Sequence, residues 1–130
     1  MTQERINAFA AATDDHQWLH VEPERACKES PYGCTIAHGY LTLSLYAALR
    51  GLADTGPSIY GSFRNSINYG LNRVRFPNPV RVNSRVRLRA ELAGVEELSE
   101  GLQLTERFQI EIDGETKPAC VAEVIFRLKH

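Results

Sequence analysis

The chain is 130 residues long, 43% hydrophobic and 24% charged, which suits one globular domain, residues 1–130, with a core of ordinary size. A formal net charge of −1 gives no electrostatic case for nucleic acid or an anionic membrane surface as partner. Cys27, Cys34 and Cys120 are odd in number and lack CxxC spacing, so reduced thiols are expected rather than a disulfide or a metal site.

The first residues are polar, and no apolar stretch of the signal-peptide kind follows, so a cytoplasmic protein is expected. Residues 2–12 predict a short amphipathic helix with Thr2 as N-cap, Glu4 in the first turn, and Ile6, Phe9 and Ala10 on one face. Residues 13–20 break that pattern and read as a loop. Asp15 and His20 lie five positions apart, far round a helix and on opposite faces of a strand. Only a loop, or a loop running into a helical turn, brings the two side chains together. Residues 21–28 predict another short helix with Pro23 in its first turn, and Pro31-Tyr32-Gly33 is a turn.

From Tyr40 to Leu49 nearly every residue is apolar, aromatic or small, interrupted only by Thr42 and Ser44, which can bond back one turn. A helix apolar all round is expected to be buried all round. Arg50 and Gly51 read as its C-terminal stop. From Gly39 to Arg50 it would be about 18 Å long, too short to span a bilayer. His38-Gly39 stands at its N-terminus, where free N–H groups can hold a carbonyl oxygen.

After Gly51 the texture becomes strand-like. Residues 59–76 are rich in Tyr, Phe, Ile and Val, with Gly61 and Gly70 as places for bulges, and Pro77-Asn78-Pro79 ends the run. Residues 82–92 alternate, with Val82, Val86, Leu88, Ala90 and Leu92 apolar; Arg85, Arg87, Arg89 and Glu91 form a solvated face. Leu102, Leu104, Phe108, Ile110 and Ile112 alternate again, Asp113-Gly114 signals a hairpin, and Ala122, Val124, Phe126 and Leu128 close the series. Helices first, a buried helix, then about four antiparallel strands make an α+β chain. An antiparallel sheet wrapped around one long buried central helix, the hot-dog arrangement, satisfies both halves.

A carboxylate and an imidazole side by side can hold a water and pass a proton each way, and a helix N-terminus can stabilise a developing enolate oxygen. Together these parts suit addition of water to a double bond conjugated with a thioester carbonyl. Taken alone, Asp15 reads as a turn residue and His20 as a solvated one, and a D-x4-H spacing carries little weight. His38 reads as a packed helix-entry residue, His16 as solvated, and His130 has no evident role.

Longer blocks decide between these readings. TDDHQWLHVEPERA (13–26) followed by SPYGCTIAHGYLTLSL (30–45) resembles the MaoC-like dehydratases, the family of R-specific enoyl-CoA hydratases. The Gln17-Trp18 form of the loop and NYGLNRVRFPNPV (68–80) are similar to its nodulation-protein-N-like branch, and the likeness runs from about Thr2 to Leu92. The resemblance implies a homodimeric hot-dog protein that takes trans-2-enoyl-CoA reversibly to (R)-3-hydroxyacyl-CoA. It makes Asp15 and His20 the water-activating pair and Gly39 the backbone donor to the thioester oxygen. It calls for no metal and no redox cofactor, with CoA, or an acyl-carrier protein in its place, as the carrier half of the substrate. Gln17, Trp18, Tyr40 and Leu43 become candidates for the substrate pocket.

The chain departs from that pattern at several points. Asp14 stands where a glycine is usual, Gln17-Trp18 replaces Asn-Pro, and Asn83 replaces another glycine. The N-terminal strand common in relatives is not seen ahead of the first helix. Two rivals remain: a hot-dog thioesterase and a non-catalytic acyl-thioester-binding protein. The first generally carries a carboxylate on the central helix, and residues 39–52 hold no Asp or Glu.

Overall fold

The computed structural model describes residues 1–52, 63 and 65–129. Helix α1 (Gln3–Thr13) opens on Thr2, whose hydroxyl accepts from the Arg5 N–H at 3.2 Å. It buries Ile6 and Ala10 and half-buries Phe9, as its periodicity predicts. It closes on Asp14 at φ 57, in the left-handed region. This explains the glycine usual there: a helix is being stopped, and aspartate is among the few other residues that tolerate the position. A single turn, α2 (Trp18–Val21), then runs into α3 (Pro23–Glu29), with Pro23 in its first turn.

The central helix comes in two pieces, α4 (Gly39–Ser44) and α5 (Tyr46–Leu49), rather than the one expected. Leu45 between them stays right-handed, its N–H shared among the carbonyls of Leu41, Thr42 and Leu43. Thr42 and Ser44 bond back as anticipated, to the His38 and Leu41 carbonyls at 3.3 and 2.7 Å. Burial on every side is corrected. Leu41, Thr42 and Tyr46 are buried, but Tyr40 is 71% exposed, and Ser44, Ala47 and Ala48 also face out. One sheet covers only one side of a helix.

That sheet has four antiparallel strands: β1 (Asn65–Arg75), β2 (Val86–Leu98), β3 (Gly101–Ile112) and β4 (Cys120–Lys129), in the order β1-β4-β3-β2. Strand β1 slips register between Asn68 and Gly70, the bulge that Gly70 suggested, whereas Gly61 lies outside the described residues. Val82 belongs to a turn and not to the following strand, because Asn83 sits at φ 67 there. Strand β2 also runs past Leu92 to Leu98 before Ser99-Glu100 turns it into β3. The even positions of β3 and β4 form the core: Leu104, Phe108, Ile110, Ile112, Ala122, Val124, Phe126 and Leu128 pack with Leu41 and Tyr46. The arginine row is the solvated face expected, with Arg87 and Arg89 reaching Glu111 at 2.6 and 3.7 Å. The three cysteines are free thiols, and burial pushes that of Cys120 up to about 11. No described helix is long and apolar enough to cross a membrane.

Among the described residues, Glu106 is the carboxylate in the core. Glu106 is 3% exposed, and its carboxylate accepts from the Tyr46 hydroxyl at 2.6 Å and from Arg50 Nε and Nη2 at 3.0 Å each. Burial pushes this carboxyl up, but the Arg50 and Tyr46 hydrogen bonds and the Arg50 charge overcome it and leave it below the ordinary value. The trio clamps α5 to β3. Glu106→Ala is expected to cost about 3 kcal/mol, the low end for breaking a buried pair, since Arg50 is 33% exposed and can turn to water. Tyr46→Phe, which leaves the ion pair intact, should cost roughly half as much. Urea unfolding of the two variants checks both, and a Glu106→Ala protein as stable as the parent would refute the clamp. The stabilisation is full at neutral pH and falls as pH drops through the lowered carboxyl value, because the unfolded chain then takes up the proton first.

Candidate active site

The loop after α1 and the turn α2 carry Asp15 and His20; the segment before α4 carries His38 and Gly39. Two sets of backbone bonds bring them together. Ile36 N–H donates to the Leu19 carbonyl at 3.2 Å, while Ala37 N–H donates to Val80 and Val82 N–H donates to Thr35, at 2.8 and 3.0 Å. Gln3 reinforces the join from α1. Its Nε2 donates to the His20 carbonyl at 2.7 Å, and its Oε1 accepts from the Thr35 hydroxyl at 2.5 Å.

The loop-into-turn geometry that the Asp15–His20 spacing requires is thus present. One donor atom from each of Asp15, His20 and His38 lies within 4.8 Å of the others. His20 is buried, and its Nδ1 lies 2.7 Å from the Ile36 carbonyl. A carbonyl only accepts, so Nδ1 carries the proton and Nε2 is left as the acceptor of the neutral ring. Burial pushes the His20 pKa below its ordinary value and the neighbouring His38 adds to this; the Ile36 carbonyl and Asp15 pull the other way without reversing it. Asp14, exposed beside the pair, is not among the groups that move it.

His38 does more than enter the helix. Its ring stacks on His20 with centroids 3.8 Å apart and planes 30° from parallel, and its Nε2 lies 3.0 Å from the Asp15 carbonyl oxygen. The same Nε2 is 3.9 Å from Asp15 Oδ2. Two imidazoles and a carboxylate are a donor set for a transition-metal ion. Ligands of one ion aim their lone pairs at a common point, however, and rings stacked face to face are a poorer match to that than to proton transfer.

Gly39 begins α4, so its N–H has no acceptor within the helix. A Cβ there would stand 3.1 Å from the Phe76 ring, so only glycine leaves Phe76 undisturbed. Of the pocket candidates, Leu43 packs on the core and Tyr40 stands exposed against Phe76, ring to ring at 6.1 Å. Gln17 is exposed, and half-buried Trp18 lies beneath the Arg25 guanidinium at 4.5 Å. A groove of about 350 Å³ on the outer face of the sheet is unrelated; its Arg73 and Arg107 are paired with Glu123 and Glu91.

Comparison with known proteins supplies the family. Residues 1–111 match the family model described as a MaoC like domain. The chain is 52% identical over 128 residues, 98% of its length and 82% of the relative's, to 3-hydroxyacyl-thioester dehydratase Z of Mycobacterium tuberculosis. It is 44% identical over 126 residues, 95% of its length and 75% of the relative's, to Nodulation protein N of Rhizobium leguminosarum. Among solved structures, an (R)-hydratase of A. caviae involved in PHA biosynthesis superposes with a TM-score of 0.80 at 26% identity, covering 98% of this chain and 88% of that one. Sheet order, the helix against it and the sequence match agree, so this chain belongs to the MaoC-like dehydratase family and shares its hot-dog fold.

Proposed function

We propose that the protein is an (R)-specific hydro-lyase that interconverts trans-2-enoyl and (R)-3-hydroxyacyl thioesters, with CoA or an acyl-carrier protein as the thiol half. The observation that carries this reading is His20: buried, pushed toward neutrality, its Nδ1 proton committed to Ile36, and one of its ring nitrogens within 4.8 Å of an Asp15 carboxylate oxygen. In the hydration direction a water held between Asp15 and His20 adds its oxygen to C3. The proton it loses and the proton gained by Cα both pass through the pair. The Gly39 N–H donates to the thioester oxygen as enolate charge collects there. No metal or redox cofactor takes part in this scheme.

A second copy of the chain completes the protein in this reading. Tyr40, Leu49 and the edge strand β1 with Ile67, Tyr69 and Leu71 offer apolar surface at 37–71% exposure, where a partner would cover the open side of the helix. Hydrolysis is the weaker alternative. Among the described residues Glu106 is the buried carboxylate, and both its oxygens are committed to Arg50 and Tyr46.

The test follows the enoyl-thioester absorbance of crotonyl-CoA and of a longer trans-2-enoyl-CoA, with free thiol monitored in the same cuvette. Loss of absorbance without thiol is the expected result. Thiol release would make the protein a thioesterase, and silence in both signals would leave an acyl-thioester-binding protein.

A further inference from the structure

The geometry points to His38 as a positioning residue for the Asp15–His20 pair, a third member bearing the group's second imidazole, which sets where the carboxylate stands and how readily His20 takes up a proton. This rests on the hydratase reading for its kinetic part and on geometry alone for its titration part. A side chain 3% exposed that merely filled space would be better served by carbon, because burying an imidazole costs hydrogen bonds. His38 bears that cost openly: Nδ1 is buried and has no hydrogen-bond partner among the described residues. What the ring supplies must therefore lie at Nε2 and on its face. Nε2 reaches the Asp15 carbonyl at 3.0 Å, and a carbonyl only accepts, so the proton sits on Nε2 and holds the loop that carries the carboxylate. The ring face lies against His20 at 3.8 Å, while Phe9 of α1 backs His38 at 5.1 Å. His20 is thereby held from both ends, by Ile36 at Nδ1 and by His38 across its face.

Among the described residues, the titratable groups facing His20 are Asp15, from the loop after α1, and His38, from the cap of α4. Gln3 and Phe9, which α1 turns toward the two histidines, are uncharged, and the buried residue of α3 is Ala26. A proton on His20 is disfavoured by His38 and favoured by Asp15. A replacement that still holds the Asp15 loop takes away the repulsion and leaves the attraction.

Two variants separate the contributions. His38→Phe keeps a flat ring over His20 and lacks the donor; His38→Gln keeps a donor near the Nε2 position and lacks the ring. Against a trans-2-enoyl-CoA, His38→Phe is expected to lose at least about ten-fold in kcat with KM within about two-fold, since a misplaced carboxylate hurts the chemical step more than binding. His38→Gln should recover at least half of that loss on a logarithmic scale. In His38→Gln, which still holds the Asp15 loop, the NMR titration of the His20 ring is expected to move up from its position in the parent. Unmoved His20 titration, or His38→Gln impaired as severely as His38→Phe, overturns the proposal. If His38→Phe fails to fold, the His20 titration in His38→Gln decides on its own. A parent protein without hydratase turnover would defeat the proposed function and leave that titration as the test of the geometry.

Discussion

Asp15→Asn and His20→Asn proteins are expected to keep the fold and to lose about 10²–10⁴-fold in kcat for enoyl-thioester hydration, the range for removing a positioned acid or base. His20→Asn is the sharper of the two. Its amide nitrogen can stand where Nδ1 stands and still donate to the Ile36 carbonyl, so the Nε2 end and the ring face stacked on His38 are what disappear. Asp15, half in water, can become neutral at little cost to stability. The pH profile of the parent adds a second check. Because burial, with His38, places the His20 pKa below its ordinary 6.5, the acid limb of kcat/KM should fall below that value. Stability follows the same sign. His20 costs nothing above about pH 6.5, and below it the unfolded chain binds the proton more readily, so the fold loses stability as pH falls. Parent-like turnover in both variants would remove the pair from the mechanism.

The largest loss of stability is expected at Gly101→Ala. Gly101 opens β3 at φ 150, where L side chains rarely go, and pairs with both Leu98 and Lys129. A Cβ there would overlap the carbonyl oxygen of Leu128 and stand 2.9 Å from its carbon. That obstacle is backbone inside the β3–β4 ladder, so relief requires prising apart the two central strands. A cost above about 4 kcal/mol is expected, the exceptional class for single substitutions. Thermal unfolding, or failure of the variant to accumulate as folded protein, would register it. Gly114→Ala is the matched control: it too sits at positive φ, 80°, but an added Cβ meets nothing within 4 Å. It should therefore cost only the backbone strain, about 1 kcal/mol.

Much of the site was legible because its main constraint is local. Asp15 and His20 can meet only if a helix stops between Phe9 and His20, and the polar run from Thr13 says that it does. The inward faces of β3 and β4 were legible for the same kind of reason, since period-two alternation survives wherever one face is buried. His38 was read rightly as packed at the helix entry, but its contacts were not legible because its partners are distant in sequence: nothing next to it foretells a ring stacked on position 20 or a bond to position 15. Gln3 escaped notice similarly, as a polar residue in a first helical turn whose contacts lie at His20 and Thr35. Glu106 was within reach. It interrupts the inward register Leu104, Phe108, Ile110, and a carboxylate there demands a cation, which Arg50 supplies after being read only as a helix stop. The two-sided burial of the central helix was overstated because apolar composition reports what must be covered and not which chain covers it.

The Thr35–Ala37 segment is held by Val80 and Val82, and this bears on when the site comes into being. Every residue of the Asp15–His20–His38 group leaves the ribosome well before its clamp. About forty residues of further synthesis, a few seconds at ~5–20 residues per second, separate His38 from Val80. Over that interval the nascent chain carries the chemical groups without the strap that aligns them. In the proposed mechanism, competence for catalysis is therefore acquired late, on completion of a contact made by residues remote in sequence from the reacting groups.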